Sequence, residues 1–169
     1  DLTTLPNSWP INKSVLSLHN NDSNANNNSG STIFNFAGDT DCPNDLAGFS
    51  SLGEFNNSKY FISNNSASWP TAQANAITND GYLASINSAE ENEFIKEQLG
   101  NNIVLIGYND AQSEGNFVWD SGEAVDYTNV SGSNSQDDDY ATMNFWAGSW
   151  DFVNAQTAKK YILEIPCSV

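Results

Sequence analysis

Three consecutive aspartates, Asp137, Asp138 and Asp139, stand in the stretch SQDDDY of a chain that is already strongly acidic. Adjacent carboxylates repel one another and disfavour ionisation unless a positive charge lies among them. Divalent cations collect where several carboxylates converge. The run therefore predicts a cation site, and the alternative is a solvated acidic loop.

The overall charge of the chain limits its partners. Its 169 residues carry 5 Lys and Arg against 21 Asp and Glu, a formal charge of −16. Such a field repels nucleic acid and anionic lipid headgroups, and no apolar run approaches the roughly 20 residues of a membrane span. We therefore expect neither nucleic-acid binding nor membrane insertion. The opening DLTTLPNSWP has no Met and no signal-type apolar region, which predicts a mature or excised fragment.

The chain has two cysteines, Cys42 and Cys167. Paired, they would close most of the chain into one loop, which the chain-entropy model values at about 4–5 kcal/mol. The alternative is two free or buried thiols. A composition rich in Asn and poor in Lys is typical of extracellular proteins, where disulfides persist, and this favours the pair.

Residues 1–41 differ in character from the rest of the chain. SVLSLH and STIFNF predict two short strands, and the polar tract NNDSNANNNSGS between them has nothing to bury. We predict an N-terminal β-hairpin extension, or the end of a preceding module, followed by one domain over residues 42–169.

The first half of that domain predicts a hairpin and two helices. DLAGFSSLGEFNNSKYFISN alternates apolar and polar residues around an Asn-Asn turn. The first helix begins at Ser68 as N-cap with Pro70 in its first turn, and the second begins with a capping box of Ser88 and Glu91. The buried stripes are Trp69, Ala72 and Ala76 on the first helix, and Phe94, Ile95 and Leu99 on the second.

The second half predicts strands. GYLASI lies between the helices, and NIVLIGYN, GNFVWD, YATMNF and KKYILEI follow them, separated by loops rich in Gly, Asn and Asp. Helices early and strands late predict an α+β domain.

The ordered series of these segments resembles the C-type lectin-like domain over residues 42–169. Leu105–Tyr108 matches the core strand of that family, and Glu114–Trp119 matches its Glu-Gly-x-aromatic-x-Trp stretch. The resemblance implies two helices, small antiparallel sheets, termini that meet in one sheet, and a long loop region that carries calcium and ligand sites. Closure by Cys42 and Cys167 fits this fold.

Two disulfides common in the family are missing here. The positions of one read Ala76 and Leu163, and those of the other read Tyr140 and Ala155. Both partners are lost together in each case, as a folded domain without those bridges requires, since a leftover thiol is a liability. We associate such bridge-poor versions with bacteria.

The resemblance assigns calcium ligands to the acidic loop. The implied set is Asp110, Glu114 and Asp139, with Asn134 or Ser135 as helpers. Three carboxylates with loop amides, carbonyls and water are enough oxygen for Ca²⁺.

A second calcium site, the one that binds sugar in the family, is incomplete in this sequence. Sugar binders use a triplet containing a cis proline and a Trp-Asn-Asp motif, and vicinal hydroxyls of the sugar replace water on the ion. Here GSNS replaces the triplet, and Phe152 follows Asp151 where a ligand would stand. The residues left for a calcium-and-sugar site are Asn134, Asp138 and Asp151, and erosion of the site is the alternative.

Aromatic residues near this region support a recognition role. Trp119 and Trp150 are expected in the core, whereas Trp146 in FWAGSW is expected near the surface. The predicted ligand-binding residues are Asn134, Asp137, Asp138, Trp146 and Asp151.

Catalysis is not expected, because the single histidine, His19, borders the Asn-rich tract and no nucleophile has an evident base. The resemblance implies a calcium-dependent carbohydrate-binding module, a lectin or adhesin, of a secreted or cell-surface bacterial protein. One alternative is a calcium-stabilised protein-interaction or structural adhesion domain, with a protein as partner. Another is ice binding.

Overall fold

The computed structural model describes residues 42–167, so the strand pair predicted in residues 1–41 lies outside the described residues. Two helices and eight strands make up the described part, which confirms the α+β class. Neither described helix is long and apolar enough to cross a bilayer. In chain order the elements are β1 Phe49–Phe55, β2 Ser58–Ser63, α1 Trp69–Thr78, β3 Tyr82–Leu83, α2 Ala89–Gln98, β4 Val104–Asn109, β5 Val118–Trp119, β6 Tyr140–Met143, β7 Trp150–Val153 and β8 Lys160–Pro166.

The predicted hairpin is formed by β1 and β2. Its two turn residues, Asn56 and Asn57, both have positive φ angles of 44° and 64°. A two-residue turn between antiparallel strands requires this left-handed conformation, which Asn tolerates better than most residues. The Asn-Asn pair therefore determines the register in which Phe55 pairs with Ser58.

The strands form two antiparallel groups, β1–β2–β8 and β4–β6–β7, that are joined side by side. β4 pairs with β8 in parallel, through Val104 with Lys160 and Leu105 with Tyr161. The predicted antiparallel groups are therefore present, and one parallel pair joins them into a mixed sheet. The reason is that one edge of β8 has two neighbours, because the short β3 occupies only Leu163 and Glu164 and leaves the start of the strand for β4.

The two helices cover opposite faces of this sheet, because successive side chains of a strand point to opposite faces. Phe61 of β2 packs in the cluster that contains α1, whereas its neighbours Tyr60 and Ile62 pack in the cluster that contains α2. Leu105 and Ile106 of β4 divide in the same way. This two-sided burial explains why β2, β4 and β8 are apolar with little alternation.

The helix starts agree with prediction in position but differ in their contacts. Ser68 is the N-cap of α1, yet its hydroxyl donates to Thr71 Oγ1 at 3.0 Å. Ser88 caps α2 by accepting from the Glu91 backbone N–H at 3.1 Å. The return bond of a capping box is not made, because the Glu91 carboxylate accepts from the Asn87 N–H instead.

The predicted disulfide between Cys42 and Cys167 is present and joins the two ends of the described chain, with Cα atoms 5.0 Å apart. The positions of the missing family bridges are filled by apolar packing. Ala76 and Leu163 are both fully buried in the α1-side cluster, against which Ala155 also packs.

Two strands differ from the sequence prediction. β5 contains only Val118–Trp119 of the longer stretch GNFVWD. β7, Trp150–Val153, was not predicted from the sequence. β7 matters for the site, because its pleat buries Trp150 and Phe152 and leaves Asp151 exposed.

Candidate functional site

The predicted calcium ligands Asp110 and Asp139 are brought together by strand pairing. β4 and β6 are antiparallel, with Asn109 opposite Tyr140, so the residue after β4 lies beside the residue before β6. The Asp110 backbone N–H donates to the Asp139 carbonyl at 3.1 Å, which continues the ladder by one bond. The two aspartates are therefore positioned by the sheet rather than by the loop that separates them.

Asp110 is 1% exposed, and its two carboxylate oxygens differ in their surroundings. Oδ2 accepts from the Gly115 N–H at 2.7 Å and from Asn134 Nδ2 at 2.9 Å. Oδ1 is buried and has no hydrogen-bond partner. A buried charged oxygen without a partner costs free energy, so this atom needs a donor or a cation.

Asn134 connects Asp110 to the third predicted ligand, Glu114. Its Nδ2 donates both to Asp110 and to Glu114 Oε1, the latter at 3.2 Å. Its own Oδ1 is buried without a partner, like Oδ1 of Asp110. The cluster thus contains two buried oxygen atoms that can still accept.

The carboxylates of the cluster repel one another. Removal from water, followed by the charge of Asp110, raises the pKa of Asp139. The same two causes raise the pKa of Glu114, to which the charges of Asp139 and Asp137 add. A divalent cation among these groups would relieve both the repulsion and the unpaired acceptors.

Asp110, Glu114, Asn134 and Asp139 therefore fit the oxygen preference of Ca²⁺. Among residues 42–167, however, no three His, Cys, Asp or Glu side chains already stand close enough together to hold a metal ion. The amide N–H of Asn134 occupies the place between the carboxylates of Asp110 and Glu114.

The remaining acidic residues are not joined to this cluster by hydrogen bonds. Asp138 Oδ2 accepts from Ser135 Oγ at 2.5 Å within the loop, and Asp137 is exposed. Asp151 is exposed on β7, where its Oδ1 accepts from the N–H of Phe152 and lies directly against Gly132. No hydrogen bond among the described residues joins Asp138 to Asp151.

Phe152 lies in the core and not at a ligand surface. It is 8% exposed, and its ring centroid lies 5.0 Å from that of Phe117. The apolar residue after Asp151 therefore serves packing.

Trp146 is 62% exposed, which confirms the surface position expected from sequence. It stands in the turn between β6 and β7, next to the pair Met143 and Trp150, whereas Asp139 adjoins the opposite end of the same ladder. The structure does not bring Trp146 to the acidic cluster. Trp119 and Trp150 are 2% and 0% exposed, as expected.

A second acidic group was missed by sequence reasoning. Glu91 of α2 and Glu164 of β8 line a cavity of about 420 Å³, with Glu123 and Asp126 at the same cavity. The available signal was a glutamate inside the apolar strand YILEI, where a charged side chain is out of place.

Comparison with known proteins gives one consistent family. The model of the lectin C-type domain matches residues 65–164. Lectin BRA-3 of Megabalanus rosa is 33% identical over 132 residues, which cover 74% of this chain and 79% of that protein. C-type lectin domain family 17, member A of Homo sapiens is 30% identical over 113 residues (64% of this chain), but they cover only 30% of that protein. A type-2 ice-structuring protein of Brachyopsis segaliensis is 41% identical over 59 residues, 35% of this chain and 34% of that protein.

Solved structures agree on the fold. The carbohydrate-recognition domain of a mouse scavenger receptor C-type lectin has a TM-score of 0.63 at 24% identity, covering 73% of this chain and 97% of that one. A calcium-independent type II antifreeze protein has a TM-score of 0.65 at 25% identity, covering 75% and 95%. The relatives named here are animal proteins, so they give the bacterial assignment no support.

Proposed function

This chain belongs to the C-type lectin domain family, whose members are non-enzymatic binding modules, and we propose that it is a calcium-dependent carbohydrate-binding module. We further propose that it acts outside the cell, in a secreted or cell-surface protein. The disulfide between Cys42 and Cys167 supports this location, because disulfides persist in oxidising compartments.

The observation that carries the calcium proposal is the pair of buried, unpartnered oxygens on Asp110 and Asn134. They lie among carboxylates that raise one another's pKa, so binding of a cation would stabilise the cluster. A half-turn of the Asn134 amide would exchange its nitrogen and oxygen and direct Oδ1 toward the carboxylates of Asp110 and Glu114. We propose Asp110, Glu114, Asn134 and Asp139 as the residues that hold Ca²⁺.

Carbohydrate is the proposed ligand because lectin BRA-3 is similar to this chain over 79% of its own length. Asp151 supports this proposal as an exposed carboxylate on β7 that lies against Gly132, in the loop where Asn134 and Asp138 also lie. Carboxylate and amide oxygens accept hydrogen bonds from vicinal hydroxyls of a sugar. We propose these three residues and Asp137 as sugar contacts.

Binding of a labelled domain to an immobilised glycan array tests the proposal, in millimolar calcium and in excess chelator. We expect binding that chelator removes and that a free monosaccharide inhibits. Asp151→Ala should reduce glycan binding at least tenfold while calcium still stabilises the domain. The matched control is Asp45→Ala, which removes another exposed aspartate before β1. No binding to any glycan in calcium would refute the carbohydrate proposal.

A protein partner is the alternative that Trp146 favours. Its indole is exposed and its ring packs edge-on against Phe145, with centroids 5.0 Å apart. Exposed tryptophans are frequent anchors of protein interfaces. In this case Trp146→Ala would abolish partner binding, whereas Asp151→Ala would not.

Ice binding is a further candidate because an ice-structuring protein and a calcium-independent antifreeze protein are both similar to this chain. Thermal hysteresis of the purified domain distinguishes this activity from glycan binding. We expect none, and a hysteresis that persists in chelator would establish the ice-binding alternative.

A further inference from the structure

An acidic cavity that opens to solvent, with the exposed Glu123 and Asp126 at its rim, lies between α2 and the sheet, apart from the proposed calcium ligands. Glu91 projects into it from α2 and Glu164 from β8, and these residues are only 7% and 4% exposed. Tyr60 of β2, 1% exposed, lies between the helix and the strand. Two glutamates buried this deeply at one cavity are an unusual arrangement for a folded domain.

Both carboxyl groups are held by neutral donors. Tyr60 OH donates to Glu91 Oε1 at 2.6 Å, and the Asn87 N–H donates to Glu91 Oε2 at 2.9 Å. The Ser85 N–H donates to Glu164 Oε2 at 3.0 Å, and Tyr82 OH lies 3.3 Å from Glu164 Oε1. These contacts fix the position of each carboxyl group but bring no positive charge to it.

No cationic side chain among residues 42–167 forms an ion pair with either glutamate. The ion pairs there join Lys59 to Glu54 and Lys96 to Glu93. The groups that face Glu164 from the surrounding elements are neutral or negative: Tyr60, Tyr82, Glu91, Glu123 and Asp126.

In this environment, protonation of one of the two carboxyl groups is favoured over ionisation of both. Burial raises the pKa of Glu164 to about 7 against the lowering effect of its hydrogen bonds with Ser58 and Ser85, and the charges of Glu91 and Glu123 add a smaller increase. Burial also raises the pKa of Glu91, against the lowering effect of its hydrogen bonds with Tyr60 and Asn87. Glu164 is therefore the group that retains the proton near neutrality, since it is the more buried of the two.

We infer that the cavity between Glu91 and Glu164 is a pH-sensitive element, in which a proton on Glu164 keeps α2 packed against β2 and β8. Loss of that proton leaves two buried negative charges facing each other across the interface of helix and sheet. The domain then loses stability, and α2 is the element that loosens first.

The sign follows from the direction of the shift. A glutamate in the unfolded chain has a pKa of about 4.3, so between about pH 4.5 and 7 the folded domain binds one more proton than the unfolded chain. Stability from this group is present in full below that window and falls as the pH rises through it. One extra bound proton corresponds to about a tenfold loss in the folding equilibrium constant per pH unit.

Thermal unfolding of the domain, in chelator and from about pH 5 to about pH 8, tests the inference. We expect the wild-type midpoint to fall over this range, and Glu164→Gln to remove most of the fall because its amide imitates the protonated acid. The matched control is Glu97→Gln, which removes an exposed carboxylate from α2 and should keep the wild-type dependence. A Glu164→Gln variant with the wild-type dependence overturns the inference.

A second measurement uses only the wild-type domain and so does not depend on whether a variant folds. In the wild-type domain with carbon-13 in the glutamate side chains, one carboxyl resonance should titrate near neutral pH. Protection factors of the α2 amides, in which the pH dependence of intrinsic exchange is divided out, should fall over the same range before those of the rest of the core. The inference is overturned if all glutamates titrate below about pH 5.5, near the ordinary value.

Discussion

The substitution Asp110→Asn should have opposite effects on the stability of the domain in the absence and in the presence of calcium. The substitution is isosteric, so Oδ1 of the asparagine can still accept from the Gly115 N–H and from Asn134 Nδ2, as Oδ2 of Asp110 does. What it removes is a buried negative charge that raises the pKa of Glu114 and of Asp139. Without a cation the negative charge of Asp110 destabilises the folded domain. With a cation present, the same charge is needed to bind it.

The magnitude in chelator follows from the unpartnered Asp110 Oδ1. A buried acceptor without a partner costs about 1–3 kcal/mol. We therefore expect Asp110→Asn in chelator to be at least as stable as wild type, and more stable by about 1 kcal/mol if the new amide finds an acceptor.

The magnitude in calcium follows from linkage. A ligand that binds only the folded state adds about 2.7 kcal/mol at a concentration a hundredfold above its Kd. A domain of roughly 130 residues unfolds with an entropy of about 0.27 kcal/mol/K, so saturating calcium should raise the wild-type Tm by about 10 °C. Asp110→Asn should lose most of this gain.

The assay is thermal unfolding of both proteins in calcium, in magnesium and in chelator, with Asp45→Asn as the control for loss of one exposed aspartate. The two proteins should rank in opposite orders in calcium and in chelator. If Asp110→Asn keeps the calcium gain, the ion does not bind at this cluster. If the variant is several degrees less stable in chelator, Asp110 serves the fold as an acceptor and not as a ligand.

Two further predictions concern the frame of the site. Replacement of both Cys42 and Cys167 by Ser should destabilise the domain by about 5 kcal/mol, because the disulfide closes a separation of 125 residues. The reduced wild-type domain should unfold at the same lowered temperature as this variant. Gly132→Ala should weaken glycan binding in the array assay without removing the calcium effect on Tm, because a β-carbon at this position would collide with the Asp151 carboxylate. Ser133→Ala is the neighbouring control. Undiminished glycan binding by Gly132→Ala would contradict the role of Asp151.

Local features of the fold followed directly from the sequence. The Asn-Asn turn, the helix start at Ser68 and the apolar stripe with Trp69 are encoded within a few residues of one another. Short-range backbone preferences and side-chain periodicity act at this scale, so these predictions agreed with the structure. The short strand β7 was missed, although its first three residues alternate apolar, polar and apolar.

The candidate calcium site was approached from sequence only through family resemblance. Asp110 and Asp139 are adjacent because β4 pairs with β6, and no local pattern encodes that pairing. The roles of Glu114 and Asn134 as partners of Asp110 likewise depend on the path of the loop between them. Their roles as ligands remain predictions.

What the sequence determined by itself was composition, local geometry and the order of the family segments, and these predicted an acidic α+β domain closed by the disulfide that the structure contains. Only the tertiary structure decided which polar groups are removed from water. Burial turned Glu164 from an ordinary member of a strand into a group whose pKa is about 7, and it left Oδ1 of Asp110 without a partner. It also separated Trp146 from the acidic cluster by the length of β6. The physical reason is that desolvation depends on what packs around a group from distant parts of the chain, which its sequence neighbours do not specify.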